Sequence, residues 1–309
     1  MKIHSSKEEL LKLLAIKDNY LYPDFSKKYR AVEKLKKNGG TRVIKPPNFN
    51  LRKIQRIILD EVLCHHPHLD CVYGLTKDKG ILHNAKFHQK NVSAQLLILD
   101  IQDFFPNVSS KDIKRIFNKI GFNKENSSVL TKICTIDGSL PQGAPTSPYL
   151  ASLACIKLDK EIYTYCIRRN LAYTRYFDDI SISGKNISDK DVDKIERIIC
   201  KYGFNCNQEK KEFYGPNTSK VINSVFINGP HLSVTDAYKE EIRKVYEKML
   251  ADSTTTNQRI FAGKFGFYLH INKREAISFI KNWNQKLINL RELNFVRANG
   301  WVGQAHILN

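Results

Sequence analysis

The sequence AYTRYFDDISISG, residues 172–184, decides the fold predicted for this chain. Two β-type runs, 172–176 and 180–183, flank the adjacent aspartates Asp178 and Asp179. This pattern predicts a β-hairpin with carboxylates at its tip. Negative charge in that position is costly unless a cation lies beside it. A solvated Asp-Asp turn is the alternative, and this stretch by itself leaves both interpretations open.

A second acidic stretch, LLILDIQDFFP at residues 96–106, favours the cation site. Its apolar run predicts a buried strand that ends at Asp100, which could converge with Asp178. Two divalent cations roughly 3.5–4 Å apart, held by shared carboxylates, suit in-line phosphoryl transfer. The alternative, Asp100 as a helix cap or turn residue, explains one stretch but not both.

Three stretches resemble the motifs of reverse transcriptases and occur in the order of that family. They are LDIQDFF at 99–105, LPQGAPTSP at 140–148 and YFDD at 176–179, which resemble motifs A, B and C. The resemblance covers roughly residues 25–235. Bacterial relatives usually have alanine as the second residue of motif C, so Phe177 departs from the pattern, while both carboxylates are retained.

The resemblance implies an α+β fold, the right-hand polymerase with fingers, palm and thumb. Residues 1–90 would form an N-terminal helix and the fingers, 91–235 a palm of antiparallel sheet plus helices, and 236–309 the thumb and C-terminal tail. Local patterns predict a basic hairpin at 27–46 and three helices between 236 and 290. They also predict helices at 6–16, 51–63, 109–120, 124–135, about 147–169 and 188–202, and paired strands at 221–227 and 231–234.

The same resemblance implies that Asp100, Asp178 and Asp179 are the catalytic, metal-binding carboxylates. The main-chain carbonyl of Ile101 would be a further metal ligand, while Asp103 would be structural or lie near the triphosphate. The expected cofactor is two Mg²⁺ ions, for which Mn²⁺ could substitute. One ion would lower the pKa of the primer hydroxyl, and the other would neutralise the triphosphate and the leaving pyrophosphate.

Contacts to the incoming nucleotide are also implied by the resemblance. Arg42 in the fingers hairpin would grip the triphosphate, with one of Lys34, Lys36 and Lys37 assisting. The ring of Phe105 would exclude a 2′-hydroxyl and so select deoxynucleotides, unless it is an ordinary core aromatic. Gln142 and Gly143 would lie against the new base pair, unless their loop is only structural.

The resemblance also implies that one lysine in the stretch QEKKEF at 208–213 corresponds to the lysine of the family's motif D, a candidate proton donor to pyrophosphate. Lys210 is the residue assigned to this role. The sequence does not choose securely between Lys210 and Lys211, and a solvated run of charges is an equal alternative.

The charge of the chain favours a polyanionic partner. Lysine and arginine number 50 against 31 aspartates and glutamates, giving a net charge of +19. The predicted thumb is rich in basic residues. It would therefore hold template RNA and duplex product by phosphate contacts, with Lys239, Arg243 and Lys264 as RNA-binding residues.

The pentapeptide NAKFH at 84–88 resembles the Asn-Ala-x-x-His motif of retron reverse transcriptases. On local chemistry alone, Asn84 would cap a helix and His88 would be an ordinary core or surface histidine. The resemblance makes both candidate RNA-binding residues. The tripeptide VTD at 234–236 stands where retron enzymes often carry Val-Thr-Gly, so Asp236 departs from that second marker.

The retron resemblance implies a specific reaction. Such an enzyme uses dNTPs to copy its own structured noncoding RNA (msr-msd). It starts DNA from a 2′-hydroxyl of an internal guanosine and makes a branched RNA–DNA hybrid (msDNA). The resemblance also implies a separately encoded effector protein, host RNase H as a partner and a role in antiphage defence.

Two other functions remain open at this stage. One is another bacterial reverse transcriptase, of the group II intron or diversity-generating type. The other is an RNA-binding scaffold that restrains a toxin effector, which the intact carboxylate set disfavours.

The expected location is the cytoplasm, with no membrane partner. The sequence contains no run of about 18 apolar residues and does not open with a signal peptide. Its seven cysteines are scattered and odd in number, which is typical of reduced thiols.

Overall fold

A computed structural model of the chain describes residues 6–17, 24–35, 39–76, 78–91 and 93–283. Predictions for Lys36 and Lys37, for the third thumb helix beyond Trp283 and for the tail at 291–309 lie outside these residues. The chain divides into two compact units. Unit 1 comprises Met1–Leu75, Leu99–Ile180 and Ser188–Lys211, and unit 2 comprises Thr76–Ile98, Ser181–Ile187 and Glu212–Asn309.

Helices and short strands alternate along the chain, which confirms the predicted α+β class. The helices are α1 (Lys7–Leu14), α2 (Phe49–Glu61), α3 (Ile81–Gln89), α4 (Ser110–Ile120), α5 (Lys124–Cys134), α6 (Ser147–Ala154), α7 (Ile156–Arg168), α8 (Asp189–Lys201), α9 (Asp236–Ala251), α10 (Thr255–Ile271) and α11 (Lys273–Trp283). The strands are β1 (Val32–Leu35), β2 (Thr41–Ile44), β3 (Val72–Tyr73), β4 (Gln95–Asp100), β5 (Ala172–Tyr176), β6 (Asp179–Gly184), β7 (Glu212–Tyr214), β8 (Val221–Ile222), β9 (Val225–Phe226) and β10 (Ser233–Val234).

The largest sheet of the described residues has the strand order β3-β5-β6-β4-β7. Strand β3 runs parallel to β5, and β7 runs antiparallel to β4. Unit 1 contains β3, β5, the start of β6 and the end of β4, whereas unit 2 contains β7 and the rest of β4 and β6. The strand ends that carry the aspartates therefore belong to unit 1.

Helix ends follow the capping signals of the sequence. Ser6 and Glu9 form a capping box at the start of α1. A second box, Ser188 with Asp191, begins α8. The hairpin predicted at 27–46 is confirmed as the antiparallel pair β1–β2. The three predicted thumb helices correspond to α9, α10 and α11.

Two elements differ from the sequence prediction. The helix expected at about 147–169 is divided into α6 and α7 at Cys155, where the N–H bonds to the carbonyls of both Ala151 and Ser152. The strand expected at 221–227 is a hairpin of β8 and β9. Its turn residues Asn223 and Ser224 have φ of 49° and 66°, so an extended strand cannot pass through them.

A buried ion pair fixes the centre of unit 1. Arg175 on β5 and Asp159 on α7 are both 0% exposed. The Arg175 Nε and Nη2 atoms each lie 2.7 Å from a carboxylate oxygen of Asp159. The hydroxyl of Tyr173 donates to the same carboxylate at 2.7 Å, and Arg175 Nη2 lies 3.2 Å from the Ser152 hydroxyl. These bonds compensate for the removal of both charges from water.

A network of polar side chains fixes α3 in unit 2. The Asn84 amide donates to the Asn223 side chain at 3.0 Å, and the Gln89 amide donates to the Gly229 carbonyl at 3.0 Å. The His88 ring contacts the Ser183 hydroxyl at 2.7 Å. The expectation that Asn84 caps this helix is wrong. Gly80 is the N-cap, and Asn84 lies one turn inside, where its amide is needed for the contact with Asn223.

The thumb helices of unit 2 pack around their own core. It contains Val234, Ile242, Phe265, Tyr268 and Ile280, all nearly inaccessible to solvent. Phe265 and Tyr268 are therefore packing residues.

No helix in the described ranges is both long enough and apolar enough to cross a membrane. The division of the chain into fingers, palm and thumb at residues 90 and 235 stays a prediction.

Replacing Asp159 with alanine is expected to lower the free energy of unfolding by about 3–5 kcal/mol, because the Arg175 charge would remain buried without its partner. Denaturant titration followed by circular dichroism measures this change. Glu161→Ala, on the same helix, is the matched control, because its ion pair with Lys201 is exposed and screened by solvent. Equal losses for both variants would contradict a dominant role for the buried pair.

Burial lowers the pKa of His88 to about 3, so the folded chain leaves this histidine neutral at pH 5, where the unfolded chain protonates it. Its stabilising contribution is complete above about pH 6.5 and is lost as the pH falls toward 3. We expect it to account for about 2 kcal/mol of lost stability between pH 7 and pH 5. Denaturant titrations of the wild type and His88→Gln at both values test this. The exposed His83→Gln on α3 should retain the wild-type pH dependence.

Candidate active site

The predicted carboxylates come together where β4 ends and the β5–β6 hairpin turns. Asp100 is the last residue of β4 and is 6% exposed. The Ile101 N–H, next in the chain, donates to the main-chain carbonyl of Asp178 at 2.9 Å. Motif A and motif C are thus joined by a main-chain hydrogen bond. Asp179 opens β6 and is half-buried.

The tip of the hairpin is held in an unusual backbone conformation. Phe177 has φ of 53°, in the left-handed region that bulky residues rarely adopt. Arg175 Nη1 donates to the Phe177 carbonyl at 2.7 Å, so the buried ion pair also holds the turn that presents Asp178. Arg175 and Asp159 were missed by the sequence analysis. The signal that could have found them was a charged residue among buried neighbours in each element, Arg175 in β5 and Asp159 in α7.

Gly74 explains how a phenylalanine fits at the second position of motif C. A Cβ atom on Gly74 would lie 2.9 Å from the Phe177 ring and 3.0 Å from the Tyr176 ring. The two rings also pack edge to face, with centroids 4.7 Å apart. The missing side chain at Gly74 therefore provides the space that the larger residue fills.

The electrostatics of the cluster favour a cation. Burial and the nearby charge of Asp100 raise the pKa of Asp178, an effect that Lys210 and Arg175 partly offset. Burial by itself would lower the pKa of Lys210. Its hydrogen bond to Asp100 and the charges of the three aspartates outweigh burial, so the Lys210 pKa is raised. The ammonium of Lys210 lies 2.6 Å from Asp100 Oδ1.

This geometry distinguishes the two lysines that the sequence left open. Lys210 faces the aspartates, whereas Lys211 forms an ion pair with Glu196 at 2.9 Å. The main-chain N–H of Asn207 also donates to the Asp100 carbonyl at 2.8 Å, which anchors the segment carrying Lys210 to the end of β4.

The donor set suits a hard divalent cation, since Mg²⁺ prefers carboxylate and carbonyl oxygens. Repulsion between the charges of Asp100 and Asp178 is the physical reason to expect a cation beside them. Within the described ranges, however, no three histidine, cysteine or acidic side chains are grouped closely enough to form a metal centre. The roles of Asp100, Ile101, Asp178 and Asp179 as metal ligands therefore stay predictions.

The fingers hairpin and the motif B loop are joined in unit 1. The Lys45 N–H donates to the Gln142 carbonyl at 2.8 Å. Gly143 has φ of 105°, a conformation that favours glycine, and its α-carbon faces Pro46. This brings two of the predicted nucleotide-binding residues next to the hairpin.

Lys34 on β1 and Arg42 on β2 lie directly opposite each other. Like charges in this arrangement destabilise a strand pair. The buried Nε of Arg42 has no hydrogen-bond partner among the residues that the structure describes. Both observations favour an anionic ligand at the hairpin.

Phe105 follows the buried Phe104, with ring centroids 5.4 Å apart, and is itself half-exposed. It is therefore not enclosed in the core. Its predicted role as a barrier to a 2′-hydroxyl stays a prediction.

The predicted RNA-binding side chains are less available than the sequence suggested. Asn84 and His88 are both 0% exposed, so this geometry does not favour direct contact with RNA. The three thumb cations are engaged with carboxylates. These pairs are Lys239 with Glu275 at 3.0 Å, Arg243 with Glu240 at 3.1 Å and Lys264 with Glu241 at 2.6 Å.

Comparison with known proteins identifies the family. Residues 34–248 match the model of the reverse transcriptase (RNA-dependent DNA polymerase) family. The retron Ec86 reverse transcriptase of Escherichia coli is 32% identical over 267 residues, which cover 85% of this chain and 78% of that protein. The retron Mx162 reverse transcriptase of Myxococcus xanthus is 26% identical over 224 residues, which cover 62% of this chain and 46% of that protein.

A solved structure of telomerase from Candida albicans with a fragment of telomeric RNA matches at a TM-score of 0.49 and 9% identity. That match covers 96% of this chain and 61% of the telomerase chain. A similarity of this size is too weak to establish a shared fold.

The family match confirms the predicted α+β right-hand polymerase, and reverse transcriptases in general use divalent metal ions. The chain belongs to the reverse transcriptase family as a retron-type member and is an RNA-directed DNA polymerase.

Proposed function

We propose that this enzyme copies its own structured noncoding RNA into DNA, with Asp100, Asp178 and Asp179 holding two Mg²⁺ ions. The observation that carries the proposal is the meeting of motifs A and C. The Ile101 N–H binds the Asp178 carbonyl, and the charges of all three aspartates act on one ammonium group. Mn²⁺ would substitute for Mg²⁺, because both accept carboxylate oxygens.

When bound, the metal ions supply a lowered pKa for the priming hydroxyl and neutralise charge on the triphosphate. The residues of the chain position the reactants. Arg42 and Lys34 would grip the triphosphate, which would relieve their mutual repulsion. Gln142 and Gly143 would lie against the new base pair, and Phe105 would exclude ribonucleotides.

Lys210 would donate a proton to the leaving pyrophosphate. Its ammonium already lies beside Asp100, and the hydrogen bond to that carboxylate raises the Lys210 pKa despite burial, which favours the protonated form. A protonated group near the leaving oxygens is what general acid catalysis requires. With Asp100 engaged as a metal ligand, Lys210 would face the leaving pyrophosphate.

The similarity to curated retron enzymes supports the finer parts of the proposal. DNA synthesis would begin at a 2′-hydroxyl of a guanosine in the msr-msd RNA and yield branched msDNA. A separately encoded effector, host RNase H, an antiphage role and a cytoplasmic location belong to the same proposal.

Asp178→Asn is expected to reduce DNA synthesis on a primed RNA template by about 10³-fold, because metal ligation supplies several kcal/mol to the transition state. The amide keeps the size of the side chain, so the fold should persist. Asp193→Asn, an exposed aspartate on α8 outside the three motifs, is the matched control and should retain activity within a few fold. Activity of Asp178→Asn close to wild type would contradict the assignment.

Nucleic acid copurified from cells that hold the native locus tests the reaction itself. Wild type should carry a discrete DNA joined to RNA, and Asp178→Asn should carry the RNA alone. A discrete RNA without DNA in both samples would favour the scaffold. Heterogeneous DNA in wild type would favour another class of reverse transcriptase.

Lys210→Ala is expected to lower kcat by about 10²-fold with little change in KM for dNTPs, since a general acid acts in the transition state. Single-nucleotide incorporation on a primed template measures both constants. Lys211→Ala, whose lysine binds Glu196 instead, should change kcat less than about threefold. Equal losses in the two variants would refute the choice of Lys210.

A further inference from the structure

A basic groove runs between α7 and α8 of unit 1. Four exposed cations border it: Lys157, Lys160 and Arg168 on α7 and Lys194 on α8. The α7 cations and Thr164 lie three or four residues apart, so they share one face of the helix. The cavity they enclose has a volume of about 490 Å³.

Glu161 lines the groove, and the nearby charge of Lys194 acts on it, but other groups hold most of the acidic side chains there. Glu161 accepts the Lys201 ammonium at 2.7 Å and the Tyr202 hydroxyl at 2.8 Å. Asp191 is bound by Arg169 and by the Tyr165 hydroxyl. None of the four bordering cations forms an ion pair within the described residues. Four cations against one carboxylate in its lining leave the groove with a net positive charge.

Aromatic and apolar side chains also line the groove. Tyr165 and Tyr202 are half-buried there, beside the buried Ile198. The groove adjoins a second cavity of about 560 Å³, which shares Lys157 and Tyr202 with the first. The second cavity adds Lys119 and His66, and the buried Nε2 of His66 has no hydrogen-bond partner in the part of the chain that the structure describes.

We propose that this groove, called here the palm groove, binds single-stranded RNA at a site separate from the polymerase centre. Cationic side chains suit phosphates, and aromatic side chains suit unpaired bases that stack on them. The distance along α7 from Lys157 to Arg168 is about 16 Å at 1.5 Å per residue, which accommodates a few nucleotides. None of the three catalytic aspartates lines either cavity.

RNA is the occupant that the activity of this enzyme requires, because the template must be held before any DNA exists. The inference rests on the proposed function in one respect, namely that the enzyme retains its own RNA. A single strand fits better than a duplex, since a duplex would present phosphates but no base to the tyrosines. The palm groove would therefore hold an unpaired segment of that RNA.

The test compares two triple variants that each lose three positive charges from unit 1. The groove variant is Lys157→Gln/Lys160→Gln/Arg168→Gln. The control variant is Lys111→Gln/Lys124→Gln/Lys132→Gln, exposed lysines outside the groove. Fluorescence anisotropy measures binding of a labelled single-stranded RNA of about 12 nucleotides. Excess unlabelled primer–template occupies the polymerase site, so the signal reports binding elsewhere.

The groove variant should bind the RNA at least about tenfold more weakly than wild type, while the control variant stays within about twofold. The slope of log affinity against log salt should fall by about 2 in the groove variant, as expected for three lost phosphate contacts to a single strand. Tyr202→Leu should weaken binding about tenfold through lost stacking. Equal losses in the two triple variants would overturn the proposal.

The source of the ligand is tested with a DNA oligonucleotide of the same sequence and with an acidic peptide. Equal or tighter binding of either would overturn RNA as the occupant. Polymerase activity on a saturating primed template should be unchanged in the groove variant. Polymerase activity and the copurified DNA together distinguish failure of this inference from failure of the proposed function. If the enzyme is active but its RNA binding does not depend on the groove, the palm groove alone is refuted. If RNA binds in the groove but no discrete DNA copurifies, the proposed reaction alone is refuted.

Discussion

The ion pair between Arg175 and Asp159 is the interaction on which the active site depends. It lies wholly in the interior, where an unpaired charge is strongly destabilising, so both partners are held in one geometry. The same guanidinium donates to the Phe177 carbonyl and so ties the hairpin tip to α7. A positive φ at a bulky residue persists only where its surroundings over-determine it, and this pair, together with the space at Gly74, supplies that constraint.

A second constraint follows from placing carboxylates together. Burial and the nearby charge of Asp100 raise the pKa of Asp178. The ammonium of Lys210 lies beside these carboxylates and offsets part of their negative charge. A site of this kind attracts positive charge from any source, so one arrangement of residues suits both divalent metals and a lysine that can move toward a leaving group. Perturbed carboxylates and lysines of this sort are typical of catalytic centres.

The positive side chains differ in whether carboxylates of the same chain pair with them. In the thumb, Lys239, Arg243 and Lys264 are paired with carboxylates on their own or neighbouring helices. At the palm groove, Glu161 is instead bound by Lys201 and Asp191 by Arg169. The four bordering cations therefore form no ion pair within the described residues. A net charge of +19 indicates a polyanionic partner but does not reveal which surface meets it, because the distribution of ion pairs decides the local field.

The sequence by itself determined the types of the elements and the signals that begin helices. It also determined the order of the three motifs and the positions of the aspartates within them. All of these depend on residues close together in the chain. The sequence did not separate Lys210 from Lys211, since neighbours in sequence differ only in the direction that the fold gives them. The family resemblance made Asn84 and His88 candidate RNA-binding residues, whereas the packing of α3 buries both side chains. Only the tertiary structure paired Arg175 with Asp159 and matched Gly74 to Phe177, because contacts between distant residues arise when whole elements pack together.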